Sequence, residues 1–108
     1  MKSSYYILEG HTPKPVYDLI EWGKWLEFSD RIVKRTELPD GVFVSTVFSG
    51  LDHSFSLSVL AEPILFETMI FGGEHKQDYQ ERYSTWEEAE AGHQRAIEYV
   101  FEVGEVEK

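Results

Sequence analysis

Helical periodicity occurs in only two stretches of this chain, and between them lie short β-branched and aromatic runs cut by glycine and proline. That punctuation constrains the fold more than any other feature, because runs of about five to eight residues between turn signals suit strands and not helices. The clearest pair is RIVKRTEL (31–38) and GVFVSTVF (41–48), joined through Pro39, Asp40 and Gly41. Proline fixes φ and glycine supplies positive φ, so the pair predicts a hairpin. ILFETMIF (64–71), closed by Gly72 and Gly73, predicts a further strand, and YYILE (5–9) a short one before Gly10. SFSLSV (54–59) alternates serine with Phe55, Leu57 and Val59, a pattern shared by edge strands and loops. EHKQDYQERY (74–83) reads as a polar connection. A faint echo between VFVSTVFSG (42–50) and LFETMIFGG (65–73) is expected of two neighbouring strands facing one core.

The first helical stretch is VYDLIEWGKWLEF (16–28), prepared by Pro13 and Pro15 in its first turn, where a missing N–H costs nothing. Val16, Leu19, Gly23 and Leu26 form the expected inner stripe, widened by Trp22 and Trp25, of which one ring should be partly exposed. Asp18 and Glu21 suit the positive end of the helix. Gly23 lowers helix propensity by about 1 kcal/mol relative to alanine, which predicts close packing against it. The second helix opens at Ser84 and Thr85, each with a glutamate three residues on, the spacing of a capping box. Its apolar face is Trp86, Ala89, His93, Ala96, Ile97, Val100 and Phe101, with Glu87, Glu88, Gln94, Arg95, Glu98 and Glu102 largely opposite. Gly92 again suggests close approach to a sheet, and the charged tail from Gly104 should fray. The expected fold is a single α+β domain over 1–108, ordered β-α-β-β-(β)-β-α. A mostly antiparallel sheet of four or five strands carries two helices on one face.

Composition narrows the function classes. The 108 residues include 16 aromatic side chains, enough to build a core in a small chain. The absence of cysteine excludes a disulfide framework, a thiolate nucleophile and a sulfur-bound zinc site. The formal charge of −10 is uneven: residues 1–40 hold 7 acids and 6 bases, 41–73 hold 3 acids and no base, and 74–108 hold 10 acids and 4 bases. Such a field repels nucleic acids and anionic membranes and favours a basic protein partner. The opening MKSSYYILEGHTP lacks the long apolar run of a signal peptide or membrane span, so the expectation is a soluble, intracellular protein.

The leading expectation is therefore a non-enzymatic protein-binding module with no cofactor. Its binding residues would be Glu87, Glu88, Glu90, Glu98 and Glu102 on the last helix, with Trp25 as an aromatic contact. The alternative is a small metal-binding or hydrolytic domain on His53, His75 and His93 with Asp52, since imidazole and carboxylate suit zinc, iron or manganese. No HExxH or HxH spacing supports it. His93 on an apolar stripe reads first as a buried imidazole held by a hydrogen bond, with Asp52 or Glu67 as partner. Ser45, Ser49 and Ser54 are the serines near enough in sequence to complete a triad, and no GxSxG elbow is present. FGGEH (71–75) lacks the spacing of a phosphate cradle. A third possibility is a structural or assembly component that self-associates through a sheet edge or a tryptophan face.

RYSTWEEAEAGH (82–93), with STVFSGLDH (45–53) and LFETMIFGG (65–73), resembles a group of small uncharacterised proteins encoded in phage and prophage genomes, with the segments in the same order along the chain. The resemblance spans residues 5–100. It implies a bacterial cytoplasmic setting and a role in binding a host or phage protein, with anti-host or anti-defence activity as one form. It implies no catalytic residues, because the group has none assigned.

Overall fold

A computed structural model describes residues 3–54, 60–73 and 79–103. The alternating segment beyond Ser54, the polar stretch 74–78 with His75, and the tail from 104 lie outside the described residues. The chain folds as β1 (Tyr5–Glu9), β2 (Thr12–Val16), α1 (Leu19–Phe28), β3 (Ile32–Glu37), β4 (Phe43–Phe48), β5 (Phe66–Phe71), β6 (Gln80–Tyr83) and α2 (Trp86–Glu102). It is an α+β fold with two antiparallel sheets: the hairpin β1-β2, and a four-stranded sheet ordered β3-β4-β5-β6.

The β3-β4 hairpin forms where the Pro-Asp-Gly signal placed it. Asp40 and Gly41 both take positive φ, 65° and 76°, in a 3-10 turn, a conformation open to Asp and Gly and costly for most other residues. From Val42 to Phe48 the side chains alternate strictly. Val42, Val44, Thr46 and Phe48 are buried on the inner face, and Phe43, Ser45 and Val47 are half-exposed on the outer one. β5 mirrors this, with Phe66, Thr68 and Ile70 inward, and pairs with β4 in the register Phe43↔Phe71 to Phe48↔Phe66. The two echoing segments are thus neighbouring strands.

α2 lies across the inner face. Thr85 accepts from the Glu88 N–H at 3.1 Å and Glu88 accepts from the Thr85 N–H at 3.1 Å, so of the two capping-box spacings this pair forms the box. Ala89, Gly92, His93, Ala96 and Val100 are buried against the strands. Gly92 is used for close approach: a Cβ there would lie 2.0 Å from the Tyr83 hydroxyl and about as near its ring. The core has two parts. Val42, Val44, Ile70, Ala96 and Val100 form one, and Phe48, Leu65, Phe66, Tyr83 and Ala89 form the other, bordered by Tyr6, Leu8, Trp25, Val33 and Trp86. Trp25 meets Phe48 edge-on at 5.7 Å, so the β1-β2-α1 layer closes over the same face of the sheet that α2 covers.

Four expectations require correction. Residues 12–16 form a strand, not a helix entry. Alternate N–H groups of a strand point to opposite edges, so Pro13 and Pro15 lose donors on one edge only and leave the other free to pair with β1. The helix starts after Asp18, whose carboxylate accepts from the Ile20 N–H at 2.9 Å and the Glu21 N–H at 3.3 Å. Its inner stripe is Trp22, Trp25 and Leu26, all half-buried, while Leu19 and Gly23 face outward. Gly23 therefore packs against nothing in the described chain: a Cβ there would have no neighbour within 4 Å. Finally, Gln80–Tyr83 is the fourth strand of the main sheet and no mere connection. Glu67 beside Arg82 and the buried Tyr83 opposite Phe66 hold it in register.

Candidate functional site

The outer face of α2 collects the residues singled out as acidic binding positions. At 100° per residue, Glu87, Glu98 and Glu102 fall on one line opposite the buried stripe, with Glu90 on one flank and Glu88 on the other. All five are exposed. Glu88 is committed to the cap, also receiving the Thr85 hydroxyl at 3.1 Å. The two bases described in the same third of the chain are both drawn aside. Arg95 donates to Glu81 at 2.5 Å, and Arg82 sits 3.6 Å from Glu67 on the opposite face of the sheet. Among the described residues, Glu87, Glu90, Glu98 and Glu102 thus have no cation in ion-pair reach. The last turn of α2 contains no base, so Glu98 and Glu102 stand at the negative end of the helix dipole.

Trp25 does not join this surface. It is half-buried, with its ring against Phe48 in the β1-β2-α1 layer.

Of the histidine set, His75 lies outside the described residues, and His93 and His53 are engaged separately. His93 is completely buried beneath α2. Its Nε2 lies 2.8 Å from the Thr36 hydroxyl on β3 and its Nδ1 2.7 Å from the Thr46 hydroxyl on β4. Thr46 in turn meets the Thr68 hydroxyl of β5 at 2.5 Å. The expected partners Asp52 and Glu67 are elsewhere. A neutral imidazole, with one N–H and one lone pair, matches two hydroxyls that can each donate or accept, so the chain of groups satisfies itself across three strands. Desolvation, and secondarily the nearby positive charge of Lys34, lowers the His93 pKa below its ordinary value and keeps the ring neutral. With both nitrogens engaged, His93 ties the helix to the sheet and has no lone pair to offer a metal.

Asp52 is occupied with backbone. Its Oδ1 accepts from the Ser54 N–H at 2.8 Å and the Ile64 N–H at 2.9 Å, fixing the two ends of the segment between them. His53 is half-buried, with its N–H bonded to the Ile64 carbonyl at 2.9 Å. Of the candidate serines, Ser45 is on the outer face of β4, away from His93, and Ser49 donates to the Leu65 carbonyl at 2.9 Å. Among the described residues no group of three or more His, Asp or Glu side chains could hold a metal ion.

Three features went unread in the sequence. The Thr36-His93-Thr46-Thr68 chain was foreshadowed only by alternation, since Thr46 shares parity with Val42, Val44 and Phe48. The outer face of the sheet carries a stacked pair, Phe43 and Phe71, 5.0 Å apart, with the Arg35 guanidinium 4.1 Å above Phe43. At the end of α1 a shallow cleft of 370 Å³ is lined by Leu26, Glu27, Ser29, Asp30, Arg31, Ile32 and Val47. Its mixed, open lining offers no convergent polar groups of the kind that orient a small substrate. Among the described residues no helix is long and apolar enough to cross a membrane.

Comparison with protein-family models, curated proteins and solved structures finds no match to this chain.

Proposed function

We propose that this protein is a non-enzymatic binding module that presents the outer face of α2 to a basic protein partner. The observation that supports the reading is the uncompensated charge on that face. Glu87, Glu90, Glu98 and Glu102 are exposed while both described arginines of the region are paired away from them. Carboxylates grouped this way repel one another, and the two nearest the helix end also oppose its dipole. A partner supplying lysine or arginine relieves both costs, and long-range attraction raises the rate of encounter. The resemblance to phage- and prophage-encoded proteins makes a bacterial or phage protein the expected partner.

The test is affinity capture from bacterial lysate, with and without phage infection, washed at rising salt and read by mass spectrometry. The wild type is compared with a variant carrying Gln at Glu87, Glu90, Glu98 and Glu102. The expected result is a stoichiometric partner that salt releases and the variant fails to hold. An empty lane at low salt, or equal capture by the variant, rejects the reading.

A further inference from the structure

The flank of α2 that faces β6 carries an aromatic pair beside the acidic line. At 100° per residue, Tyr99 stands about 60° round the helix from Glu102 and three positions before it, so the two are neighbours on one ridge. Glu98 lies one turn before Glu102. Tyr99 is 42% exposed, and its ring meets that of Tyr79 at 4.9 Å with a tilt of 43°. Tyr79 is itself fixed. Its hydroxyl donates to Glu81 at 2.9 Å, and Arg95, one turn before Tyr99, donates to the other oxygen of the same carboxylate. Burial, and then the bond to Glu81, raise the Tyr79 pKa well above its ordinary value and keep the phenol neutral. Glu81 and Arg95 cancel, so the uncompensated charges beside Tyr99 on α2 are Glu98 and Glu102. The same flank shows what a carboxylate and a tyrosine hold together. The Arg95 guanidinium is bonded to Glu81 while it stands 6.0 Å from the centre of the Tyr83 ring. A guanidinium suits both groups, because its N–H fork bonds the carboxylate and its weakly hydrated face lies on a ring.

We propose that Tyr99, with Glu98 and Glu102, seats an arginine of the basic partner, its guanidinium lying on the Tyr99 ring while its N–H groups bond Glu102. Such a seat presupposes that the α2 face is the binding surface, and it narrows the partner's contact to one kind of side chain. Charge selects a cation as the occupant. Two carboxylates and the negative end of the helix dipole meet here, and the last turn of α2 holds no base. The ring selects arginine over lysine, whose compact, strongly hydrated ammonium gains less from a half-exposed aromatic face. Tyrosine and arginine are also the side chains that carry a disproportionate share of the energy at protein contacts. Because Tyr79 is anchored through Glu81, the Tyr99 ring is braced from one side and loses less freedom when it is covered.

Two alanine-based peptides test this, one carrying spaced arginines and the other lysine at the same positions. Each is titrated into the isotopically labelled full chain and followed by nuclear magnetic resonance. The wild type should bind the arginine peptide roughly two- to fivefold more tightly than the lysine peptide, with the Tyr99 ring resonances shifting. Tyr99→Leu should abolish that preference and leave the affinity for the lysine peptide as it was. Tyr99→Phe, which keeps the ring, should retain the preference. Both variants should keep the circular dichroism spectrum and cooperative melting of the wild type. No binding of either peptide, equal binding of the two by the wild type, or a preference that survives Tyr99→Leu overturns the proposal. Equal binding that is lost when Glu87, Glu90, Glu98 and Glu102 are all replaced by Gln removes the arginine seat and leaves the acidic face standing. Capture from lysate decides that face separately.

Discussion

The glycines of the two helices stand in opposite surroundings. In α2, Gly92 lies on the ring of Tyr83 beneath a helix with five buried residues. In α1, Gly23 faces open space on a helix with none. The main sheet with α2 is the part of the molecule whose packing defines the fold. The β1-β2-α1 layer is held to it by Tyr6, Leu8 and Trp25, by the stacking of His11 on Trp86 and by hydrogen bonds to the Gly50 carbonyl, and it leaves Leu19, Ile20 and Phe28 exposed. The contrast teaches that a glycine inside a helix does not by itself mark a close approach: Gly92 has one and Gly23 has none in the described chain.

One substitution at both positions gives the largest and most direct challenge to that contrast. Gly92→Ala places a methyl within 2.0–2.3 Å of the Tyr83 hydroxyl and ring, and the side chain is buried with little room to retreat. Overpacking of this kind costs about 3 kcal/mol, against a helix-propensity gain of about 1, so a net loss of about 2 kcal/mol or more is expected in urea unfolding. Gly23→Ala meets no atom and should raise stability by about 0.5–1 kcal/mol. Two changes of the same sign would show that the halves are packed alike.

The pH dependence sharpens the same comparison. His93 is neutral in the folded protein because burial lowers its pKa, whereas in the unfolded chain it titrates at its ordinary value near 6.5. Below that value the unfolded state binds more protons than the folded state. Its contribution is therefore complete above about pH 6.5 and is lost as pH falls through the lowered folded value. His93→Gln keeps a side chain of similar reach that does not titrate. Its loss of stability relative to wild type, about 1–2 kcal/mol at pH 7.5 from disturbed hydrogen bonds, should narrow progressively below pH 6.5. A constant difference between the two melting curves from pH 7.5 to 5 would remove His93 from the account.

Much of the main sheet was legible from local rules. Pro39-Asp40-Gly41 defined the hairpin, alternation from Val42 to Phe48 defined its inner face, and the Thr85–Glu88 spacing defined the start of α2. The errors share a cause, which is that tertiary pairing overrode local preference. Pro13 and Pro15 fit a helix entry and an edge strand equally well until β1 is present to pair with them. Gln80–Tyr83 has little β propensity of its own and is a strand because β5 offers it a partner. The α1 stripe was misplaced because Leu19 and Leu26 share a helical line, while two tryptophans on the neighbouring side bring more apolar surface and took the inner position. For His93 the burial was readable and the partners were not. Threonines 57 and 47 residues away in sequence leave no local signature.

The smallest expected effect bears most directly on function. Glu98 and Glu102 stand in the final turns of α2, where a helix favours cations and where the described structure supplies none. Replacing both with Gln removes an unfavourable interaction with the dipole and some repulsion from the neighbouring acids. The folded state should gain a few tenths of a kcal/mol per site, more at low salt than at high. If the outer face of α2 is a binding surface, the same double variant loses partner affinity while gaining stability. Thermal melting and capture of the partner would then move in opposite directions. A surface kept acidic for solubility alone predicts the stability gain without the loss of affinity.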